Sequence, residues 1–385
     1  MDFTKVRVLV TDGGARQTLT IIRGLKEAGC RISVICSSKL DACYASNIPD
    51  EKILDKNGAG SYEGFEELVL TLLKTGKYDV LLPVAEMTTN RITGREEEFS
   101  RYARLACAPR SAYVQAFNKQ ATFEQAMWIG IPCPNTRRED QPIEDYLAAA
   151  HFPIIIKPRN GVGSIGFHKF DTLEDFRMLV AERNINVDEY VVQEYVNFKK
   201  RLGILLFIDQ EGNAATAYAT EVLREYPVDA GTAVLVRSVD EPDAIRDAGR
   251  LLKAMGWRGF ADVGFMVDEQ TGERKLMEIN GRIPASFKMS WLCGFNVAKQ
   301  LVELACDEPV TVYPKNMRIG VMTRHTQADW TWFLKSPDRF RAEPSWFSRK
   351  NRYDVVYWKD DPLPWFAYTL QRIFRFSEIN AKRRH

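Results

Sequence analysis

The first hundred residues alternate between two periodicities, and that alternation restricts the fold more than any other feature of the chain. Val6-Arg7-Val8-Leu9-Val10 is a short apolar run closed by Thr11-Asp12-Gly13-Gly14. A helical period follows through Leu19, Ile22, Leu25 and Ala28, and Gly29 ends it. Arg31 to Cys36 reads as the next strand, Phe65 to Leu73 as a helix, and Tyr78 to Pro83 as a strand again. Strand–helix–strand units of this spacing predict a parallel sheet with helices on its faces. Thr11-Asp12-Gly13-Gly14 is not G-x-G-x-x-G, so no dinucleotide fingerprint is present. A tight strand-to-helix turn and a modest contact with a small substrate both remain open for it.

A second segment begins near Ala112. Tyr113 to Ile129 has a helical pattern and carries Asn118-Lys119, with Gly130-Ile131-Pro132-Cys133-Pro134 as its stop. Phe152 to Pro158 is a strand, followed by the glycine-rich turn Asn160-Gly161-Val162-Gly163-Ser164-Ile165-Gly166. A helix over Thr172 to Glu182 leads into the strand Tyr190 to Val196. Residues 201–239 are mostly β in pattern, and Glu241 to Met255 is helical. Phe260 to Asp268 and Arg274 to Asn280 form a hairpin across the turn Glu269 to Glu273.

Near Asp329 the character changes. Residues 330–385 hold five of the eight tryptophans and 12 Lys+Arg against 6 Asp+Glu. An aromatic, basic tail can rest on an anionic membrane or on a partner, including a second copy in a homodimer, or it can wrap back over its own core. Within it, Phe366, Leu370, Ile373 and Phe374 fall on one helical stripe, which predicts docking of that stripe on the body of the protein or on a second copy. The segmentation is therefore 1–112, 113–198, 199–328 and 329–385.

Charge and cysteine usage exclude several functions. With 53 Lys+Arg against 51 Asp+Glu, the balance is too even for a dedicated nucleic-acid binder. No run reaches the ~18 apolar residues of a spanning helix, and Met1 to Lys5 does not read as a signal peptide. Seven cysteines without a C-x-x-C pair fit reduced thiols in a cytoplasmic protein. Four histidines offer no Ser/His/Asp set for acyl-enzyme chemistry.

Two groups of residues carry chemistry. Lys157 ends an apolar strand just before Gly161, Gly163 and Gly166. A lysine there supplies a point charge for a polyphosphate, and glycines let backbone N–H groups approach its oxygens. Such a turn alone is usually structural, and no G-x-x-x-x-G-K-[ST] loop occurs. Glu278 and Asn280 are stronger, because strand positions two apart face the same side. Asp262, on the preceding hairpin strand, faces the same point if the register allows. Two carboxylates and an amide oxygen make a hard-oxygen site suited to Mg²⁺ shared with phosphate. Arg282 adds a planar cation for a phosphoryl or acyl-phosphate oxygen.

In this combination the chain resembles the ATP-grasp superfamily, nearest its carbamoyl-phosphate-synthetase-like branch of carboxylate–amine ligases. The matching strings are Asn118-Lys119 with Gly-Ile-Pro-Cys-Pro, Phe-Pro-Ile-Ile-Ile-Lys-Pro with the glycine turn, Val-Val-Gln-Glu-Tyr-Val, and Leu-Met-Glu-Ile-Asn-Gly-Arg, in the family's order. The resemblance runs from about Val6 to Pro309 and implies a parallel-sheet α/β domain followed by a two-lobed α+β ATP-grasp fold. It further implies ATP and two Mg²⁺ ions, with Mn²⁺ able to substitute. Lys119 and Lys157 would hold the α- and β-phosphates under a lid formed by Gly161, Gly163 and Gly166. Gln193, Glu194 and Val196 would meet the adenine edge, with Leu276 also in the nucleotide set. Glu278 and Asn280 would hold the metal, Arg282 would steady the transferring phosphoryl group, and Arg224 resembles a substrate-side arginine.

Two positions depart from the family pattern. Gly264 stands where an acidic residue or glutamine usually precedes the phenylalanine; either Asp262, of the same strand parity, replaces it as metal ligand, or one metal is held less tightly. Phe198-Lys199-Lys200-Arg201 lacks the acidic ribose ligand often found after the linker. The expected activity is activation of a small-molecule carboxylate as an acyl phosphate and its joining to an amine, with ADP and phosphate released. A kinase-like phosphoryl transfer and a non-catalytic ATP-binding module are the alternatives.

Overall fold

The computed structural model describes residues 2–55, 64–161, 166–228, 231–313 and 317–374. Gly163 and everything from Arg375 onward, including Phe376 and Lys382-Arg383-Arg384, lie outside the described residues. Strands β1 (Arg7–Val10), β2 (Arg31–Cys36), β3 (Glu51–Leu54), β4 (Val80–Leu82) and β5 (Arg104–Leu105) form an all-parallel sheet in the order β3-β2-β1-β4-β5. This is the arrangement that the alternating periodicities predict. Val8, Leu9 and Val10 are fully buried, as a strand covered on both faces requires.

A three-stranded sheet follows, from β6 (Ile154–Pro158), β7 (His168–Phe170) and β8 (Tyr190–Glu194), in the order β7-β6-β8. It has its own small core of Ile154, Ile156, Phe170, Phe176, Val192 and Tyr146. The largest sheet contains β9 (Phe198–Ile208), β10 (Ala214–Tyr226), β11 (Thr232–Val239), β12 (Gly259–Asp268), β13 (Arg274–Asn280), β14 (Met322–Arg324) and β15 (Arg352–Asp354). Its order is β13-β12-β9-β10-β11-β14-β15, antiparallel except for the last pair. One apolar core joins this sheet to the N-terminal one: Val8, Leu19 and Leu25 share it with Phe207, Phe287 and Val297. The helices Thr18–Glu27 and Val297–Ala305 touch there, and Asn296 donates to the Gly24 carbonyl at 3.0 Å.

The helical pattern over Tyr113 to Ile129 is two helices, Arg110–Phe117 and Lys119–Trp128. Asn118 separates them because its extended backbone (φ −82°, ψ 104°) starts a new helix, with its side chain accepting from the Gln120 and Ala121 N–H groups. Both helices bury their apolar side against the large sheet: Tyr113, Ala116 and Phe123 share a core with Val263, Phe265 and Leu276. The division at residue 113 falls inside the first of these helices.

The C-terminal segment is built into the body. Asp329, fully buried, binds both Arg224 (3.3 Å) and Arg324 (2.6 Å), while Ser46 donates to Asp361 at 2.6 Å. Helix Leu363–Phe374 packs on helix Ala42–Ala45, with Tyr368 Oη 3.2 Å from His325 Nε2 and Gln371 donating to Asp41. The expectation that Phe366, Leu370, Ile373 and Phe374 form the docking stripe is corrected here. The helix docks through Tyr368 and the partly buried Trp365, and the four stripe residues face outward. Hydrogen bonds from Gln327 to Thr369 and from Gln371 to Asp41 fix the rotation, which an apolar count alone cannot register. Truncation after Asp361 should lower stability by about 3 kcal/mol, the scale for losing one large buried ring and its contacts. An unchanged melting midpoint would show that this helix adds nothing to the body.

None of the seven cysteines is disulfide-bonded. Among the described residues no helix is long and apolar enough to cross a membrane.

Candidate functional site

The hairpin β12–β13 builds the centre of the site. Its register sets Asp262 opposite Asn280 and Gly264 opposite Glu278, with an irregularity just beyond Gly264. Asp262, Glu278 and Asn280 thus share one face, and Asn280 Nδ2 donates to Glu278 Oε1 at 3.2 Å. Two glycines make room. A Cβ on Gly203, across from Gly264 on β9, would stand 3.2 Å from Asp262 Oδ1. A Cβ on Gly281 would come within 2.8 Å of both Tyr113 and Trp257, so the chain passes from Asn280 to Arg282 only because that position has no side chain.

The lysines approach from the other elements. Asn118 caps helix Lys119–Trp128 and so places Lys119 at its first position, where Nζ donates to the Gly161 carbonyl at 2.8 Å. Lys157 lies at the end of β6, its Nζ 3.5 Å from the Met277 carbonyl and 4.5 Å from the centre of the Phe123 ring. Burial brings the Lys157 ammonium down to about 8, opposed by the nearby Glu278 carboxylate and assisted by Lys119. Burial also lowers Lys119, against the pull of Glu278 and Glu86. Asp262 is pushed up to about 6 by burial, with Arg282 opposing and Glu278 adding to the rise.

Arg282 lies between two carboxylates. Its Nη1 is 3.8 Å from Asp262 and its Nε 3.8 Å from Glu86. Glu86 escaped the sequence analysis. It opens helix Glu86–Gly94 just past β4, and burial raises its carboxyl while Arg282 draws it down. The available signal was its place at the carboxyl end of a parallel strand, where ligands of α/β sheets gather. Three cations and three carboxylates from both sheets and the small lobe therefore converge: Lys119, Lys157 and Arg282 with Glu86, Asp262 and Glu278.

The remaining sequence candidates are arranged differently. Gln193 is buried and donates to Thr136 Oγ1 at 2.9 Å; the Glu194 N–H goes to the Asn135 carbonyl, and its carboxylate accepts from Lys275 at 2.6 Å. The Glu194 N–H and carboxylate are thus both engaged within the protein. Val196 is buried where the linker ends, and Leu276 is fully enclosed in the core shared with Phe265. Gly161 (φ +138°) and Gly166 (φ +76°) flank the glycine turn in backbone conformations suited to glycine. Arg224 does not join the site. Its side chain, 1% exposed, is held by Asp329 and the Pro344 carbonyl over the Trp332 ring, so it anchors the C-terminal segment.

Among the described residues no three His, Cys, Asp or Glu side chains are grouped closely enough to hold a metal by themselves. The donors nevertheless suit a hard cation that shares its ligands with a polyphosphate, since Mg²⁺ typically takes one or two carboxylates plus phosphate oxygens. The Glu278 carboxylate disfavours the charge on Asp262 at this spot, and a cation would relieve that repulsion.

A family model described as an ATP-grasp domain matches residues 116–286. The D-aspartate ligase of Enterococcus faecium is 24% identical over 250 residues, covering 60% of this chain and 59% of that protein. The mitochondrial methylcrotonoyl-CoA carboxylase subunit alpha of Oryza sativa subsp. japonica is 26% identical over 214 residues, 51% of this chain but only 28% of the subunit. The chain thus spans less than a third of that relative's length. Among solved structures, the biotin carboxylase domain of Hydrogenobacter thermophilus 2-oxoglutarate carboxylase, in complex with MgADP and bicarbonate, superposes with a TM-score of 0.69 at 16% identity, covering 82% of this chain and 73% of that one. N5-carboxyaminoimidazole ribonucleotide synthetase, as an ADP complex, gives 0.62 at 17% identity, covering 84% and 81%. These structural likenesses establish a shared mixed α/β fold.

Proposed function

We propose that residues 116–286, which match a model described as an ATP-grasp domain, form such a domain, and that the protein is an ATP-dependent carboxylate–amine ligase. The observation that carries the reading is the convergence of Lys119, Lys157 and Arg282 with Asp262, Glu278 and Asn280 at one place between the lobes. The two lysines bind the α- and β-phosphates of ATP. Glu278 and Asn280, with Asp262, would hold Mg²⁺, which neutralises phosphate charge and aligns the γ-phosphoryl group when bound. Asp262 takes the place of the acidic residue missing at Gly264.

A substrate carboxylate oxygen attacks the γ-phosphorus and ADP departs, leaving an acyl phosphate. The amine then attacks the acyl carbon, the C–O bond to phosphate breaks, and the amine proton is lost as phosphate leaves. Arg282 steadies the transferring phosphoryl group, and Glu86 positions that arginine from the N-terminal domain. Catalysis is chiefly positioning and charge neutralisation, so no covalent enzyme intermediate is required. The activity screen is a panel of amino acids, sugar acids and peptides assayed for ADP release, alone and with an added amine. Release that needs both a carboxylate and an amine supports the ligase. ADP with a stable phosphorylated product indicates kinase chemistry, and binding without turnover indicates a non-catalytic module.

The lowered Lys157 ammonium gives this reading a pH signature. Below about 8 the group is protonated and can hold phosphate; above that the free protein must take up a proton to bind. ATP affinity should stay level up to that pH and then fall, with a limiting slope of about tenfold per pH unit. Calorimetric titration across the range checks it. Constant affinity well above pH 8 would remove Lys157 from the phosphate site.

A further inference from the structure

Large apolar side chains are unevenly exposed. Of the nineteen that stand out among the described residues, eleven fall between Trp330 and Phe374. Eight of these form two adjoining groups. In the first, helix Thr326–Lys335 buries Trp332 and presents Trp330 and Leu334. Trp330 leans on Trp346 (4.6 Å between ring centres), and Phe340 and Phe347 lean on Phe333 (5.5 and 5.7 Å). Phe340 and Phe347 nevertheless remain 72% and 63% exposed. In the second, helix Leu363–Phe374 turns outward the stripe Phe366, Leu370, Ile373 and Phe374. A hydrogen bond from Gln327 to Thr369 ties the two helices together.

The stretch 335–350 carries five cations against the two exposed acids Asp338 and Glu343. Lys335, Arg341, Arg349 and Lys350 are exposed, and the Arg339 guanidinium lies 5.4 Å from the Phe340 ring centre. Several acids of the segment are engaged with the body instead: Asp354 accepts from Thr326 N–H, Asp360 from Arg23, and Asp361 from Ser46. Beyond Phe374 the sequence adds Arg375, Lys382, Arg383 and Arg384 against a single Glu378.

We propose that this aromatic, basic face docks on an anionic lipid bilayer. Exposed aromatic rings interleaved with arginine and lysine suit the boundary between headgroups and acyl chains, where apolar rings insert and cations meet lipid phosphates. Charge argues against a second copy, since a two-fold interface through this face would set like cations against each other.

The test uses the full chain and vesicle flotation, with phosphatidylcholine alone and with about one-third phosphatidylglycerol. At about 0.1 M salt, partition into the anionic vesicles should exceed the neutral ones by about tenfold or more, and most of it should vanish at about 0.5 M. Phe366→Ser with Ile373→Ser, both exposed positions, should cut partition by about tenfold without moving the melting midpoint or ATP binding. Lys335→Glu with Arg341→Glu should remove the preference for anionic vesicles. Equal partition into both vesicles, or a preference that survives both double variants, would overturn the proposal. So would a concentration-dependent dimer that the Phe366/Ile373 variant dissolves while vesicle partition stays absent.

Discussion

Glu278→Gln is expected to leave the fold intact and to reduce ATP-dependent turnover by about a hundred- to a thousandfold. The substitution preserves shape and the hydrogen bond from Asn280, but it removes one of the two carboxylates proposed to hold Mg²⁺. It also removes the charge that opposes the burial of Lys157 and Lys119, so both ammonium groups should lose protons more readily. Two readouts separate these effects. Raising Mg²⁺ should restore part of the activity if cation affinity is the main loss, and lowering the pH should restore nucleotide affinity if the lysines are. Turnover equal to that of the unchanged protein would place Glu278 outside the chemistry.

Lys157→Ala should weaken ATP binding by about ten- to a hundredfold, the scale for one charge-assisted hydrogen bond to phosphate. Adenosine, which lacks phosphates, should bind nearly as before. The contrast between the two ligands is the informative quantity, because a general collapse of the small lobe would weaken both. Lys157→Met serves as the shape control, since it keeps an unbranched chain over Phe123 without the charge. Equal losses for ATP and adenosine would assign Lys157 to structure, as a donor to the Met277 carbonyl.

The shared face of the candidate site was legible in the sequence because its residues sit on regular strands. The period of two puts Glu278 and Asn280 on one side of β13 whatever the tertiary surroundings, and the short turn at Glu269 to Glu273 brings Asp262 back beside them. The parallel sheet was legible for the same reason, since its strands alternate with helical runs. Contacts that depend on distant packing were not. Arg224 has the sequence context of a substrate ligand, yet Asp329, more than a hundred residues away, captures it in the core. Glu86 resembles any acid at a helix start until the N-terminal sheet is laid against the hairpin and sets it beside Arg282. The outer stripe of helix Leu363–Phe374 has the spacing of a buried face, but Tyr368 and Gln371 find better partners in His325 and Asp41. Hydrogen bonds of that kind decide the rotation of a short helix, and they are specified by residues that the local pattern does not contain.

Activation of a carboxylate by phosphorylation at this site is tested most directly by oxygen-isotope transfer. A carboxylate that supports ADP release in the screen is prepared with oxygen-18 in its carboxyl group and turned over with ATP and an amine. Attack of a carboxyl oxygen on the γ-phosphorus, followed by expulsion of phosphate by the amine, carries one labelled oxygen into each phosphate released. The account predicts that label in the phosphate, together with ADP and coupled product in equal amounts. Phosphate free of label during full turnover would contradict it.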